Sequence, residues 1–383
     1  MARLREALAA DARLGFDTEF IRERTYAPVL EIVQVSAALP SGDRLIGIVD
    51  VPALNGSLGP LGDLLLDTSV LKIVHAGGQD MEILTALLGQ PPAPVFDTQV
   101  AAAFAGYSLQ TGYGALVQAV LGIRLSKEEG FADWSRRPLT PSMRDYAEND
   151  VRYLQDFHTK LATLLERRGR LSWAEEQTNR LLAQASEPLA PRELWRRVGG
   201  KNLLESKGLA ILRELARWRD EEARRRDKPR RTVMKDEALI EIAKRAPQTA
   251  QAVLDLRGVQ NVGERMAESL AAQVRLGLAV PHQERPHLES TPTLDEQGAA
   301  LVELLSAVVR IRAVEEHLPP SLLASGDELR NLAGGRKSAD AFTGPLFTGW
   351  RGSLIGDDLR AVLAGERAVK WDNTLHKLVF IPT

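Results

Sequence analysis

Four acidic residues and one tyrosine, in three separate segments, have the types and spacing that phosphodiester chemistry needs. Asp17 and Glu19 follow an apolar run, and a strand there places both carboxylates on one face because side chains alternate along it. Asp80 follows a second apolar run. Tyr146 and Asp150 are four residues apart in a helical pattern, which puts the hydroxyl and the carboxylate on one helical face.

Carboxylates that converge repel one another, and they cannot all stay ionised unless cations lie between them. Oxygen ligands of this kind suit Mg²⁺ or Mn²⁺. Two such ions, about 3.5–4 Å apart, can stabilise both the attacking and the leaving oxygen of a phosphodiester displacement. The first interpretation is therefore a nuclease that uses two divalent cations.

Residues 1 to about 165 alternate strand-like and helix-like segments, which predicts an α/β domain around a mixed sheet. The predicted strands are Arg13–Phe20, Leu30–Ala37, Leu45–Val51 and Leu71–His75. The predicted helices are Leu4–Ala10, Asp80–Leu88, one opened by Phe96-Asp97-Thr98 with Asp97 or Thr98 as its N-cap, and one that opens at Pro141, capped by Thr140, and runs past Leu165.

From about residue 170 the strand signals vanish and helical periodicity takes over. The predicted helices are Leu203–Arg226, Asp236–Ala246, Gln248–Leu256, Gly263–Leu276, Leu294–Glu316, Ser321–Leu332 and Asp357–Leu363. A polar, proline-containing stretch from Pro281 to Pro292 separates two sets of similar helix order, which suggests a divergent duplication. At the end of the chain, residues 369–371 and 375–381 are expected to pair as a small hairpin.

The composition limits the class of protein. A chain of 383 residues with an ordinary apolar fraction is long enough for two or three domains. It has no cysteine, which excludes disulfides, thiol nucleophiles and thiolate zinc sites and suits a reducing cytoplasm. The sequence shows neither a secretory signal nor an apolar run that could span a membrane, so we expect a cytoplasmic protein with no membrane partner.

Charge is distributed unevenly along the chain. The net charge is −2, but between Arg217 and Arg231 eight basic residues stand against four acidic ones, a local net charge of +4. Two interpretations of this cluster stay open: a solvated helix end with internal ion pairs, or contact with a phosphate backbone. The second is favoured because Pro229 is expected to end the helix and to leave the basic residues on an exposed turn.

The three acidic motifs, in this order, resemble the exonuclease domain of the ribonuclease D family, in the tyrosine subclass of the DEDD 3′-5′ exonucleases. The resemblance covers Asp17–Tyr26 with Leu30, Ile32 and Gln34, and the segment from Lys127 through Leu139 to Leu154. Downstream, residues 215–236 resemble the helicase-and-RNase-D C-terminal (HRDC) domain, and residues 317–351 resemble a second, more divergent copy.

This resemblance implies a ribonuclease H-like α/β exonuclease domain followed by two all-α, HRDC-like domains. The expected boundaries are 1–170 for the exonuclease domain, 171–204 for a helical linker, 205–282 for the first HRDC-like domain, 283–293 for a second linker and 294–383 for the divergent HRDC-like domain with a C-terminal extension.

The resemblance also implies a role for each site residue. Asp17 would bridge two metal ions, Glu19 and Asp150 would complete the site of the ion on the nucleophile side, and Asp80 would hold the second ion, directly or through water. Tyr146 would orient or help deprotonate the attacking water, since a phenol with a pKa of about 10 is a weak base by itself. Each residue alone more often caps a turn or packs, but the five together favour a catalytic site.

Several neighbours are candidates for substrate binding, each with a structural alternative. An aromatic ring can stack on a terminal base or belong to the core, polar side chains can bind the last nucleotide or close a strand end, and arginines can hold phosphate or form surface ion pairs. The predicted substrate-binding residues are Phe20, Gln34, His75, Gln79, Arg22, Arg24, Arg137, Arg224, Arg225 and Arg226. Asp97 is assigned to helix capping.

The expected activity is that of a monomeric 3′-5′ exoribonuclease with two divalent cations, Mg²⁺ or Mn²⁺, that releases nucleoside 5′-monophosphates from RNA with a single-stranded 3′ end, tRNA precursors above all. Two alternatives remain open. A DNA exonuclease would carry the same motifs, since only contacts to the 2′-hydroxyl distinguish RNA. A noncatalytic nucleic-acid-binding adaptor is disfavoured because all five site residues are present.

Overall fold

A computed structural model describes most of the chain, in the ranges 1–125, 132–187, 189–259, 262–288, 292–335 and 344–383. Parts of several sequence predictions lie outside these residues: 127–131 of the segment that resembles the exonuclease domain, 188 of the first linker, 260–261 of the first HRDC-like domain, 289–291 of the second linker and 336–343 of the divergent HRDC-like domain. The chain forms two compact units. The first comprises Met1–Thr18, Ile32–Ser186 and Thr291–Thr383, and the second comprises Glu19–Glu31 and Glu187–Ser290.

A mixed sheet of five strands organises the N-terminal segment. The strands are β1 Arg13–Ile21, β2 Val29–Ala38, β3 Arg44–Asp50, β4 Leu71–Val74 and β5 Val95–Asp97. Their order is β3-β2-β1-β4-β5, with β4 parallel to β1 and β5, and β3 antiparallel to β2. The predicted α/β domain with a mixed sheet is confirmed. The sequence did not indicate β5, because three residues are too few to show a strand period.

Helices accompany the sheet in the N-terminal segment, and a side chain caps the start of two of them. They are α1 Ala2–Ala10, α2 Pro60–Leu66, α3 Gly78–Leu88, α4 Thr98–Phe104, α5 Tyr113–Leu121, α6 Pro141–Arg152, α7 Leu154–Arg167 and α8 Leu171–Ser186. The Thr140 hydroxyl accepts a hydrogen bond from Met143 N–H at 3.2 Å, and Asp97 caps α4, as predicted. Helix α8, expected within a linker, buries Ala174 and Leu182 in the first unit.

Two helices replace the single helix expected from Pro141 past Leu165. The break lies at Tyr153, whose φ and ψ are −107° and 5°. The Tyr113 hydroxyl accepts a hydrogen bond from Tyr153 N–H at 3.2 Å and donates one to the Asn149 carbonyl at 2.8 Å. A side chain inserted between backbone groups one turn apart interrupts a helix. The prediction of one helix is wrong because a contact across 40 residues leaves no trace in periodicity.

In its described residues, the second unit is mostly helical outside the Glu19–Glu31 segment. Its helices are α9 Ser206–Arg226, α10 Arg230–Val233, α11 Asp236–Arg245, α12 Ala250–Leu254 and α13 Glu264–Ala279. They enclose a core that includes Trp195 and Leu212. Helix α9 ends at Arg226 because Asp227 adopts the left-handed conformation, with φ 47°. Pro229 is therefore not what ends this helix, and the expectation that it is was wrong.

The C-terminal segment is helical and ends in a hairpin. It contains α14 Glu296–Glu316, α15 Pro320–Leu323, α16 Gly326–Gly335, α17 Gly349–Arg351 and α18 Asp357–Leu363, with π-helical Gly352–Gly356 between the last two, then β6 Arg367–Asp372 and β7 Lys377–Pro382. Extended Ala324 divides the helix expected over Ser321–Leu332. The expected hairpin is confirmed, with Trp371 opposite Leu378.

The C-terminal segment shares one hydrophobic core with the N-terminal segment of the first unit. Trp350 packs edge to face on Phe104, with 4.9 Å between ring centroids, and stacks on Trp173 at 5.9 Å. Buried Arg170 donates a hydrogen bond to Glu316 at 2.6 Å. Residues 294–383, expected as a separate domain, thus fold within the same compact unit as the sheet. The residues at which the exonuclease and HRDC-like domains begin and end remain predictions.

The two helical sets repeat one local pattern. Helices α9 and α14 are each 21 residues long, and each is followed by a residue in the left-handed conformation, Asp227 (φ 47°) and His317 (φ 52°). In both sets a four-residue helix and then a ten-residue helix follow. The helix starts Ser206 and Glu296 are 90 residues apart, as are Asp227 and His317. This constant spacing supports the duplication suggested by the sequence.

Among the described residues, no helix combines the length and the apolar character that crossing a bilayer requires.

Candidate active site

Three of the five predicted site residues form a carboxylate cluster. Asp17 and Glu19 lie two residues apart on β1, and Asp150 lies on α6. Each offers a carboxylate oxygen, and the three oxygens lie within 4.8 Å of one another. Strand alternation gives the first two a common face, as expected. Oxygens this close together can share one hard divalent cation.

The electrostatics of Asp150 fit a cation. Burial raises the pKa of this carboxyl to about 7, and a hydrogen bond with the Tyr146 side chain opposes that shift. Without a positive charge nearby, the carboxyl is therefore partly protonated at neutral pH. A divalent ion would favour the ionised form, because an opposite charge at contact distance stabilises a carboxylate. The donor set and its desolvation thus suit a metal.

Asp80 lies in the first turn of α3 and is buried. Burial raises its pKa to about 6, and the Thr18 hydroxyl, next to Asp17 on β1, donates a hydrogen bond to it. Among the described residues, Asp80 is not part of the group of three close carboxylates. Its predicted role, to hold a second ion directly or through water, remains a prediction.

Asp97 fixes the segment that leads to Asp80. Its carboxylate accepts hydrogen bonds from the backbone N–H groups of Ala76 and Gly77, each at 3.0 Å, immediately before α3. It also accepts one from Gln99 N–H at 2.8 Å, which is the predicted cap of α4. The capping assignment is confirmed, and the bonds to the start of α3 are a contribution that the sequence did not indicate.

Gln34 and His75 are held by protein groups beside the cluster. The Gln34 amide nitrogen lies 3.5 Å from an Asp17 oxygen, and this side chain is buried. The Nδ1 atom of His75 lies 2.9 Å from Thr98 Oγ1, and its ring meets Tyr113 edge to face at 5.5 Å. Burial lowers the pKa of His75, which favours the neutral ring. The predicted contacts of both side chains with the last nucleotide remain predictions.

Four of the predicted substrate-binding residues differ in how exposed they are. Three of them follow Glu19 in the chain, and the fourth lies in the first turn of α3. Phe20 is half-buried, and the Arg22 guanidinium lies over its ring at 4.9 Å. Arg24 and Gln79 are exposed. Their proposed roles toward RNA stay predictions.

Three more of the predicted substrate-binding residues, Arg137, Arg225 and Arg226, form ion pairs with carboxylates of the protein. Arg137 makes two hydrogen bonds with Asp50, at 2.6 and 3.0 Å. Arg225 and Arg226 both pair with Glu222, and the hydrogen bond from Arg225 contributes most to holding the pKa of that carboxyl at about 2. Internal ion pairs, one of the two sequence interpretations, are thus present in the last turn of α9.

Arg224 takes part in a separate contact with the segment between β1 and β2. Its guanidinium lies over the Tyr26 ring at 5.1 Å, and it donates to the Tyr26 hydroxyl at 3.1 Å. Arg230 approaches the same ring at 4.8 Å and donates to the hydroxyl at 2.9 Å. The Tyr26 hydroxyl in turn donates to buried Asp220 at 2.8 Å. Even so, about 69% of the Arg224 side chain is exposed, which leaves it accessible to a phosphate.

A cavity of about 740 Å³ opens beside Tyr146 and Asp150. It is large enough for a nucleotide. Residues of its lining that the sequence did not single out include Tyr113, Arg124, Ser142 and Asn149. Tyr113 begins α5, Arg124 follows this helix, and Ser142 and Asn149 lie on α6, but nothing in their type or spacing marked them.

The mixed sheet and its carboxylate cluster agree with the class of enzyme that the comparisons give, the 3′-5′ exonucleases. A family model described as a 3′-5′ exonuclease matches residues 1–166, and one described as an HRDC domain matches residues 208–272.

Whole-chain comparisons identify the family. A ribonuclease D from Acidiphilium cryptum is 36% identical over 96% of this chain and 92% of the relative, and one from Nitrobacter hamburgensis is 37% identical over 92% and 90%. The crystal structure of Escherichia coli RNase D, an exoribonuclease involved in structured RNA processing, superposes with a TM-score of 0.79 at 29% identity, over 95% of this chain and 96% of that one. The chain belongs to the ribonuclease D family and is a 3′-5′ exoribonuclease.

Proposed function

We propose that this exoribonuclease hydrolyses the last phosphodiester bond of RNA with two divalent cations, Mg²⁺ or Mn²⁺, and releases nucleoside 5′-monophosphates. The observation that carries the proposal is the cluster of Asp17, Glu19 and Asp150 oxygens within 4.8 Å of one another. Buried Asp80 supplies the fourth carboxylate. It accepts a hydrogen bond from the hydroxyl of Thr18, the residue that follows Asp17.

Each side chain has a proposed role. Asp17, Glu19 and Asp150 would hold the ion on the nucleophile side, and Asp17 and Asp80 would hold the second ion. When bound, the ions supply acidification of the attacking water and stabilisation of the charge that develops on the phosphate. Tyr146, hydrogen-bonded to Asp150, orients that water. The water oxygen loses a proton as it forms a bond to phosphorus. The bond from phosphorus to the preceding nucleotide's 3′ oxygen breaks, and that oxygen takes up a proton to become the new 3′ hydroxyl.

The RNA is held by the side chains around the site in this proposal. Phe20 stacks on the terminal base, and the neutral His75 and the amides of Gln34 and Gln79 face the last nucleotide. The arginines Arg22, Arg24, Arg137, Arg224, Arg225 and Arg226 meet the phosphate backbone. The cavity lined by Tyr113 and Asn149 provides space for a nucleotide next to Asp150.

The proposed physiological substrates are tRNA precursors and other RNAs with a single-stranded 3′ end, processed by a monomer in the cytoplasm. The relatives are ribonucleases, which favours RNA over the DNA exonuclease and favours an enzyme over a noncatalytic adaptor. Rates on matched RNA and DNA oligomers would decide between the two nucleic acids. Light scattering of the purified protein, with and without RNA, would give its oligomeric state.

A time course on 5′-labelled RNA, with Mn²⁺ or with a chelator, tests the reaction itself. We expect a ladder that descends one nucleotide at a time, needs the divalent ion and yields 5′-monophosphates. Asp17→Asn, with an unchanged circular dichroism spectrum, is the matched variant and should give no ladder. Hydrolysis by this variant at the wild-type rate, from a preparation free of other nucleases, would refute the site assignment.

A further inference from the structure

We propose that Tyr113 is a positioning residue of the active site, because its hydroxyl holds open the helix break that sets the position of Asp150. The inference rests on the proposed function, since it concerns the metal ligand on α6. No motif pointed to Tyr113, and its part in the site follows from its hydrogen bonds alone.

The hydroxyl occupies a particular point of the backbone. In an uninterrupted helix the N–H of Tyr153 would bond to the carbonyl of Asn149, four residues earlier. Here the Tyr113 hydroxyl lies between them, since it accepts from that N–H at 3.2 Å and donates to that carbonyl at 2.8 Å. Both backbone groups are satisfied, so the break carries no orphaned polar group at this point.

The break lies next to the metal ligand. Asn149 immediately precedes Asp150, and Tyr153 follows it by three residues. On the other side, the Ser36 hydroxyl on β2 donates to the carbonyl of Val151 at 2.7 Å. Side chains from α5 and from the sheet thus hold the backbone on both flanks of Asp150.

Tyr113 itself is held firmly. Its ring meets His75 and Phe157 edge to face, with centroid separations of 5.5 and 5.6 Å. Burial raises the pKa of its hydroxyl well above the usual value, so the proton needed for the bond to Asn149 is retained across the working pH range. A ring packed on both sides in this way limits how far its hydroxyl can move away from the break.

The position of Asp150 matters because metal ligands tolerate little displacement. Its oxygen must stay close to those of Asp17 and Glu19, all three now within 4.8 Å. If the hydroxyl is removed, Tyr153 N–H and the Asn149 carbonyl can bond directly, which would straighten the helix and shift the carboxylate. Loss of a residue that orients a metal ligand typically costs about 10–100-fold in metal affinity.

The test compares Tyr113→Phe with the wild type. This variant keeps the ring contacts and removes only the hydroxyl. Mn²⁺ binding is measured by calorimetry without RNA, and kcat and KM are measured on a short RNA at several Mn²⁺ concentrations. We expect Mn²⁺ affinity to fall about 10-fold or more. At saturating Mn²⁺, KM for RNA should stay within about twofold of wild type and kcat should partly recover, because excess ion compensates for a weakened ligand.

The controls separate this role from simpler ones. Tyr107→Phe removes a hydroxyl from another half-buried tyrosine packed on the same core and should leave Mn²⁺ affinity unchanged. Ser36→Ala, which frees the Val151 carbonyl, should lower Mn²⁺ affinity in the same direction. If Tyr113→Phe fails to fold, Ser36→Ala still tests whether the backbone on the flanks of Asp150 sets Mn²⁺ affinity.

Three results would decide against the inference. Unchanged Mn²⁺ affinity in both folded variants would overturn it. A raised KM with normal Mn²⁺ affinity would make Tyr113 a substrate contact, as its place in the cavity lining allows. If the wild-type protein neither binds Mn²⁺ nor depends on it for activity, the proposed function itself fails. That failure is distinct from a failure of the Tyr113 inference, because it is seen in the wild type without any variant.

Discussion

At the scale of single residues, the site depends on carboxyls whose ionisation the fold opposes. Burial raises the pKa of Asp150 to about 7 and that of Asp80 to about 6. Between pH about 4 and these raised pKa values, the folded protein keeps protons that the unfolded chain has already lost. The stabilisation is therefore complete below pH about 4, near the ordinary value for aspartate, and is lost as pH rises through the folded pKa values.

This linkage predicts opposite pH trends with and without metal. The metal-free protein should lose stability through Asp150 between pH about 4 and 7, whereas Mn²⁺ should stabilise more as pH rises, because it binds the ionised carboxylates. The measurement is Tm with Mn²⁺ and with a chelator from pH 5 to 8, where each kcal/mol corresponds to about 1–2 °C for a chain of this length.

Asp150→Asn is the matched control for this pH experiment. Burial lowers the pKa of His158 to about 4, so this histidine makes stability rise with pH over part of the same range. The difference between wild type and Asp150→Asn removes that contribution. A metal-free difference that does not change with pH would contradict the raised pKa of Asp150.

Tyr146→Phe tests the role of the phenol. We expect kcat to fall about 10²–10⁴-fold, the usual contribution of a side chain that assists proton transfer or orients the nucleophile. RNA affinity should change little, because the ring and its contact with Trp134, 6.1 Å between centroids, are retained. Affinity is measured with Ca²⁺ in place of Mn²⁺ to suppress turnover. A large loss of affinity with normal kcat would show that Tyr146 binds substrate instead.

At the scale of elements, local sequence signals were sufficient for most strands and for the capped helices. Strand β1, which carries Asp17 and Glu19, and the helix opened by Thr140 and Pro141 lie where expected, because alternation and capping act over a few residues. The break at Tyr153 and the packing of Asp97 on the start of α3 were not predictable. They depend on contacts between residues 20 to 40 positions apart.

Strand β4, next to β1, depends on a buried cation. Lys72 is fully buried, and its ammonium donates to the carbonyls of Asp67, Val70 and Ala93 at 2.7, 2.8 and 2.5 Å. It therefore joins the turn before β4 to the segment before β5. All three ammonium protons have acceptors.

We expect Lys72→Met to lower the free energy of unfolding by about 2–3 kcal/mol, because the substitution leaves buried carbonyls without donors. Urea unfolding at pH 7 measures it. Lys160→Met, which removes an exposed lysine of α7, is the matched control and should change stability by less than about 0.5 kcal/mol. A Lys72→Met protein as stable as wild type would show that water satisfies those carbonyls.

At the scale of the whole molecule, the sequence indicated how many helical sets there are but not how they pack. Ninety-residue spacing relates α9 to α14, yet the C-terminal set shares its core with the nuclease sheet through Trp350, Phe104 and Trp173. Aromatic residues in a helical pattern show that a face is buried, but they do not show against what. Domain boundaries drawn from sequence therefore differ from the compact units.

RNA binding by the second unit is testable through salt. Changing Arg224, Arg225 and Arg226 to Gln should flatten the dependence of RNA affinity on salt, by about 0.7 in logarithmic slope for each arginine that contacts phosphate. Changing Arg245 and Arg275, two exposed and ion-paired arginines of the same unit, is the control. An unchanged slope in the triple variant would mean that the cluster forms only internal ion pairs, as those with Glu222 do.

The most direct test of the central claim is anomalous diffraction at the manganese edge from crystals of the protein soaked in Mn²⁺. We expect two peaks about 3.5–4 Å apart, with Asp17 at both, Glu19 and Asp150 at one and Asp80 at the other. Peaks elsewhere, or none at these carboxylates in the wild-type protein at neutral pH, would contradict that claim.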